Sequence, residues 1–173
     1  MKRKLLSLVA ALVATAGLTA LAPSTANASF CGITWGSLQK GRTGTASSLT
    51  NVRAGRHACY DRLVFDFAGS TSGSLVRYLT SVPYVAKDGH LPLRGGAFLQ
   101  IVVRSNAAFV PANRTDMIDV SGWRTFRQVG WGGSFEAVTI VGLGVRARLP
   151  FRVFTLAGPG THSRLVVDVA HRW

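Results

Sequence analysis

The sequence predicts an all-β fold, a single β-sandwich of two roughly symmetric sheets with a disulfide-tethered N-terminal extension. Three observations carry this. From Asp61 onward, short apolar runs are separated by Gly, Pro, Ser and Asn, and no segment holds a helical period. Two heptapeptides 102 residues apart, Asp61-Arg-Leu-Val-Phe-Asp-Phe67 and Ser163-Arg-Leu-Val-Val-Asp-Val169, share the pattern x-Arg-Leu-Val-x-Asp-x. Each alternates, so one strand face carries Leu63, Phe65 and Phe67 (or Leu165, Val167 and Val169) and the other carries Arg62, Val64 and Asp66 (or Arg164, Val166 and Asp168). A strand with one apolar and one charged face belongs to a sheet that buries one side, and two copies imply a domain built from two related halves. Val52-Arg-Ala54 and Val145-Arg-Ala147 add a weak echo of that duplication.

At the N-terminus, Lys2, Arg3 and Lys4 precede an apolar run from Leu5 to Leu21 and the small-x-small sequence Ala26-Asn27-Ala28, the pattern of a signal peptide over residues 1–28. An uncleaved anchor is the rival reading, since the run could nearly span a bilayer. Its Thr and Gly content and the cleavage-type sequence favour removal. Phe30, just before Cys31, stands where lipid modification requires a small residue, so the expectation is a free secreted protein with no later transmembrane segment.

Residues 29–60 read as an irregular extension rich in turn formers, with the basic stretch Arg53-Ala-Gly-Arg-His57. The chain has two cysteines, and two in an exported protein normally pair. A Cys31–Cys59 bridge would tie segment 36–51 to the domain, worth about 3.5 kcal/mol by the chain-entropy model. Residues 61–173 hold enough chain for one sandwich domain and not for two. Strands are expected over 61–68, 74–86, 97–104, 117–121, 123–129, 134–142, 149–156 and 163–170.

Residues 29–173 carry 15 Arg and 2 Lys against 6 Asp and 1 Glu, a net charge of +10. Such an excess favours anionic partners: phosphate polymers, carboxylated wall glycans or a membrane surface. Nucleic acid is not expected, because the chain is exported, lacks a reading motif and spaces its aromatic residues as a core does.

Catalytic and cofactor motifs are weak. Gly142-Leu-Gly-Val-Arg-Ala147 fits G-x-G-x-x-A, but that motif needs a helix N-terminus for a pyrophosphate, and the β-like run through Pro150 builds none; a glycine-rich turn between strands is expected instead. There is no G-x-S-x-G, and Gly69-Ser-Thr-Ser-Gly73 reads as a polar turn. His57, His90, His162 and His171 are scattered without metal-ligand spacing, so neither metal nor cofactor is expected. Asp66 and Asp168 could pair as acid and base, yet Arg62 and Arg164 share their faces and favour cross-strand ion pairs. Glu136, the one glutamate, lacks an acidic partner and fits better as an organiser of a polar face.

What remains is a surface of arginines alternating with apolar residues, with Arg62, Arg124, Arg127, Arg152 and Arg164 the candidate ligand-binding residues. Guanidinium forks grip carboxylates and phosphates bidentately. A solvated face of no special role, with Trp123 and Trp131 in the core, is the plainer alternative.

Several stretches together resemble a known family: Cys31-Gly-Ile-Thr-Trp-Gly-Ser37, Arg53-Ala-Gly-Arg-His-Ala-Cys-Tyr-Asp-Arg-Leu-Val-Phe-Asp66, Leu93-Arg-Gly-Gly-Ala97, Gly133-Ser-Phe-Glu136, Gly142-Leu-Gly-Val-Arg-Ala-Arg-Leu-Pro-Phe-Arg-Val153 and Arg164-Leu-Val-Val-Asp-Val-Ala-His171. They resemble the AMIN-like domain of secreted actinobacterial proteins, which is distantly similar to the AMIN domain found beside cell-wall amidases and in secretins. The resemblance implies a two-sheet sandwich and targeting to the cell envelope, with peptidoglycan as the inherited ligand. The expectation is therefore a secreted, cell-wall-associated, non-enzymatic module that binds peptidoglycan or an attached anionic polymer. The alternative is an extracellular protein–protein or inhibitor module that meets an envelope protein through loop 36–58.

Overall fold

The computed structural model describes residues 28–44, 47–71 and 73–173, so the leader read over 1–28 lies outside the described residues but for Ala28. All eleven regular elements among them are strands: β1 (Ala28–Phe30), β2 (Ile33–Trp35), β3 (Lys40–Arg42), β4 (Ser48–Arg56), β5 (Tyr60–Ala68), β6 (Ser74–Leu79), β7 (Ala97–Val103), β8 (Phe126–Phe135), β9 (Val138–Val145), β10 (Phe151–Ala157) and β11 (Ser163–Ala170). They form three sheets: a β1–β2 hairpin, a four-stranded sheet in the order β10-β11-β5-β4, and a five-stranded sheet in the order β3-β6-β7-β9-β8. No helix among the described residues is long and apolar enough to cross a membrane.

The alternation in the heptapeptides sets the core. Leu63, Phe65 and Phe67 from β5 and Leu165, Val167 and Val169 from β11 meet Leu99, Ile101, Val129, Val141 and Leu143 of the five-stranded sheet in one buried cluster. Each such side chain removed from water contributes about 1.5–3 kcal/mol. Buried Asp61 locks the two larger sheets at one end. Its Oδ2 accepts the backbone N–H groups of Thr125 (2.8 Å) and Phe126 (3.0 Å), and its Oδ1 lies 3.1 Å from His171 Nε2.

The two heptapeptides do not occupy separate halves. β5 and β11 are antiparallel neighbours in the same sheet, with Val64 opposite Val166, Asp168 opposite Arg62 and Arg164 opposite Asp66. The repeat is thus a local two-fold pairing about the two valines. The larger sheets are also unequal, with four and five strands.

The Cys31–Cys59 disulfide is present. The stretch expected to be irregular, however, contributes four strands, and β4 pairs with β5 along nearly its whole length. Segment 36–58 is therefore hydrogen-bonded framework, β3 in one sheet and β4 in the other. Its apolar alternation is broken by the register shift between Leu49 and Asn51 and by Gly55, which hid the strand.

Glycines misled the strand boundaries elsewhere. Gly130-Trp-Gly-Gly133 looks like a break, yet β8 runs through it, and the turn falls at Glu136 and Ala137, both with positive φ, as two-residue hairpins require. Gly142 and Gly144, expected in a turn, lie inside β9. A Cβ on Gly144 would stand 1.9 Å from the carbonyl oxygen of Arg94, and one on Gly142 would stand 2.7 Å from a Leu91 methyl. These glycines let segment 91–94 cross the outer face of the five-stranded sheet, where Val82, Leu91 and Ile140 form a second apolar cluster. Segments 80–86 and 117–121, read as strand, are part of the irregular chain around that sheet.

Candidate functional site

The outer face of the four-stranded sheet follows directly from register. Reading from β10 across β11 and β5 to β4, three rows run Arg152–Asp168–Arg62–Gly55, Phe154–Val166–Val64–Arg53 and Leu156–Arg164–Asp66–Asn51. The period-two alternation that sends Leu63 and Leu165 inward sends all of these outward.

In the first row Asp168 is wholly buried between two arginines. Arg62 grips it bidentately, Nε to Oδ1 at 2.6 Å and Nη2 to Oδ2 at 2.9 Å, while Arg152 reaches Oδ2 at 2.8 Å. Aromatic rings hold the two guanidinium groups from above. Arg152 lies 5.3 Å from the centre of the Trp35 ring, 5.2 Å from that of Tyr60 and 4.9 Å from that of Phe154, and Arg62 stacks on the last two. Trp35 belongs to the β1–β2 hairpin, which the disulfide and the Gly36–Phe151 bridge hold over this end of the sheet. The hydrogen bond to Asp168 raises the Arg62 pKa above its ordinary value.

The third row is open. Asp66 pairs with Arg53 of β4 through Nε (2.9 Å) and Nη2 (3.1 Å), not with Arg164 across from it. Arg164 is left without a carboxylate. Its Nη2 donates to the Ala157 carbonyl at 3.1 Å, and its buried Nε has no hydrogen-bond partner among the described residues. Arg53, Arg62, Arg164 and His57 surround a depression of about 210 Å³ whose floor includes Val64 and Val166. Gly55, opposite Arg62, keeps a side chain out of it.

Of the five arginines singled out in the sequence, Arg62, Arg152 and Arg164 share this face. Arg124 lies just before β8 and Arg127 within it, at the other sheet, where Arg124 is exposed and Arg127 donates to the carbonyls of Trp123 and Phe126 at 2.8 Å. Arg53 and His57, which complete the depression, were visible only as part of a basic stretch. A hidden signal was Arg53-Ala-Gly55, whose alternation continues the charged face onto β4.

Glu136 holds no arginine among the described residues; it occupies the β8–β9 turn. Asp168 organises the polar face instead. No three His, Cys, Asp or Glu side chains gather as a metal site among the described residues. The face offers guanidinium and imidazole donors above an apolar floor, the chemistry of anion recognition.

A family model for the AMIN-like domain matches residues 47–171. No curated protein and no solved structure matches the chain. The match begins at the start of β4 and so takes in the whole four-stranded sheet and its arginine face. By that match over most of its length, the chain belongs to the AMIN-like domain family.

Proposed function

We propose that this is a secreted, non-catalytic module that attaches to the cell envelope by binding an anionic group of peptidoglycan or of a polymer attached to it, with the two larger sheets acting as the layers of a sandwich. Family membership supports a cell-wall-related binding role, and the disulfide fits an oxidising, extracellular setting. The observation that carries the reading is Arg164, a guanidinium without a carboxylate, with Arg53, Arg62 and His57 around the same depression. Four arginines on the face meet two aspartates, both already paired, so an incoming carboxylate or phosphate finds net positive charge. Arg152 and the Asp168 pair act as framework that fixes Arg62.

The test is co-sedimentation of residues 29–173 with purified sacculi, before and after stripping of attached anionic polymers, at low and physiological salt. Retention is expected, and the double variant Arg53→Glu/Arg164→Glu should weaken it roughly tenfold or more. Retention lost on stripping assigns the attached polymer. A protein that stays in the supernatant throughout, or a double variant retained as well as the parent, sinks the proposal.

A further inference from the structure

A second cleft, of about 520 Å³, lies beside edge strand β8, within the size range of small-ligand sites. Its walls include Phe109 and Trp131, whose ring centres are 5.6 Å apart, and two of the most exposed large apolar residues, Val110 at 62% and Phe135 at 51%. Apolar side chains exposed together around a concavity mark a binding surface. The backbone gives a separate sign. Ala86, one of four non-glycine residues with positive φ among those described, is in its lining. Such conformations cost free energy and gather where geometry serves a ligand.

The chemistry of the lining narrows the occupant. Lys87 and Arg114 line the cleft and no carboxylate does, so an anion is favoured. A sugar is less suited: Trp131 is only 5% exposed, the Tyr84 face is taken by Lys87 Nζ, 3.7 Å from its centre, and the remaining rings, Phe109 and Phe135, carry no polar group to hold a hydroxyl. Sugar hydroxyls would also lack carboxylate acceptors. The Asn106 side-chain amide and the hydroxyls of Thr115 and Tyr84 also line the cleft and suit the amide groups of a peptide.

We propose that this cleft binds the C-terminal end of a peptide, its apolar last side chain lodged against Phe109, Val110 and Trp131 and its carboxylate drawn by Lys87 and Arg114. The site is independent of the arginine face and does not rest on wall binding.

Residues 29–173, labelled with ¹⁵N, would be titrated with N-acetyl-Ala-Ala-Leu as the free acid, as its C-terminal amide, and with glycine in the last place. The free acid should shift the Trp131 indole and the backbone amides of Ala107 and Ser134. The amide and the glycine-ended peptide should bind at least roughly tenfold more weakly. Val110→Asp, at an exposed position, should weaken the free acid alike while leaving retention on sacculi unchanged. Equal binding of acid and amide, no shift at millimolar peptide, or shifts centred on Arg164 would each overturn the proposal.

Discussion

Asp66 and Asp168 occupy the same position of the same heptapeptide, on the same face of adjacent strands, and their surroundings differ completely. Asp168 has no exposed side-chain surface and is clasped by Arg62 and Arg152 under the rings of Trp35, Tyr60 and Phe154. Asp66 keeps 23% of its side-chain surface exposed and pairs with one arginine that is itself 51% exposed. The β1–β2 hairpin and its disulfide sit over one end of the face and not the other. The duplicated motif therefore yields a structural ion cluster at the covered end and, at the open end, a basic depression, the one proposed above to accept an anion. What a strand motif does is decided by what covers it.

The largest expected effect tests the covered end. Removing one member of a buried, hydrogen-bonded ion cluster leaves uncompensated charge and costs about 3–5 kcal/mol. Asp168→Asn leaves Arg62 and Arg152, both partly buried, without a counter-charge, and should lower stability by that amount in urea denaturation. A loss below about 1 kcal/mol, the range of a surface pair, would erase the distinction between the two aspartates.

The sequence shows the alternation within each copy but not which copy is covered. The strands expected over 61–68, 97–104 and 163–170 match β5, β7 and β11 closely, because in these the period of two is uninterrupted. β4 was missed because its inward side chains are sparse: Leu49, Val52 and Ala54, split by the register shift. Gly130 falls between the expected strands 123–129 and 134–142, and Gly144 in the expected glycine-rich turn, because the reason for these glycines is tertiary, the approach of Leu91, Leu93 and Arg94 from a distant segment. At the site, Arg62, Arg152 and Arg164 were readable from alternation alone. That Arg53 rather than Arg164 takes Asp66 follows from the pairing of β4 on β5, which no local pattern encodes.

A second, comparable effect concerns the cover itself. The chain-entropy model gives the 28-residue separation between Cys31 and Cys59 a stabilisation of about 3.5 kcal/mol. Cys31→Ser/Cys59→Ser should lose that much in urea denaturation and loosen the hairpin over Asp168. Hydrogen exchange should then rise in the backbone amides of Trp35, Tyr60 and Arg152 while those of Asn51 and Asp66 at the open end change little. Uniform loosening of both ends would show that the hairpin does not set the difference.

The smallest effect on stability, and the sharpest on function, belongs to the open end. Asp66→Asn removes a partly exposed carboxylate whose pair with Arg53 is worth at most about 1 kcal/mol, so the folded state should barely notice. The same change releases Arg53 beside the depression and removes the negative charge nearest Arg164 in register. Retention on sacculi should increase for Asp66→Asn and become more salt-sensitive, since more of the attraction is then unscreened charge. The direction is informative because a merely structural Asp66 would weaken retention along with stability. A variant that is stable and binds less would mean that Asp66 orients Arg53 toward the ligand, and the depression would then depend on the pair rather than on the arginine alone.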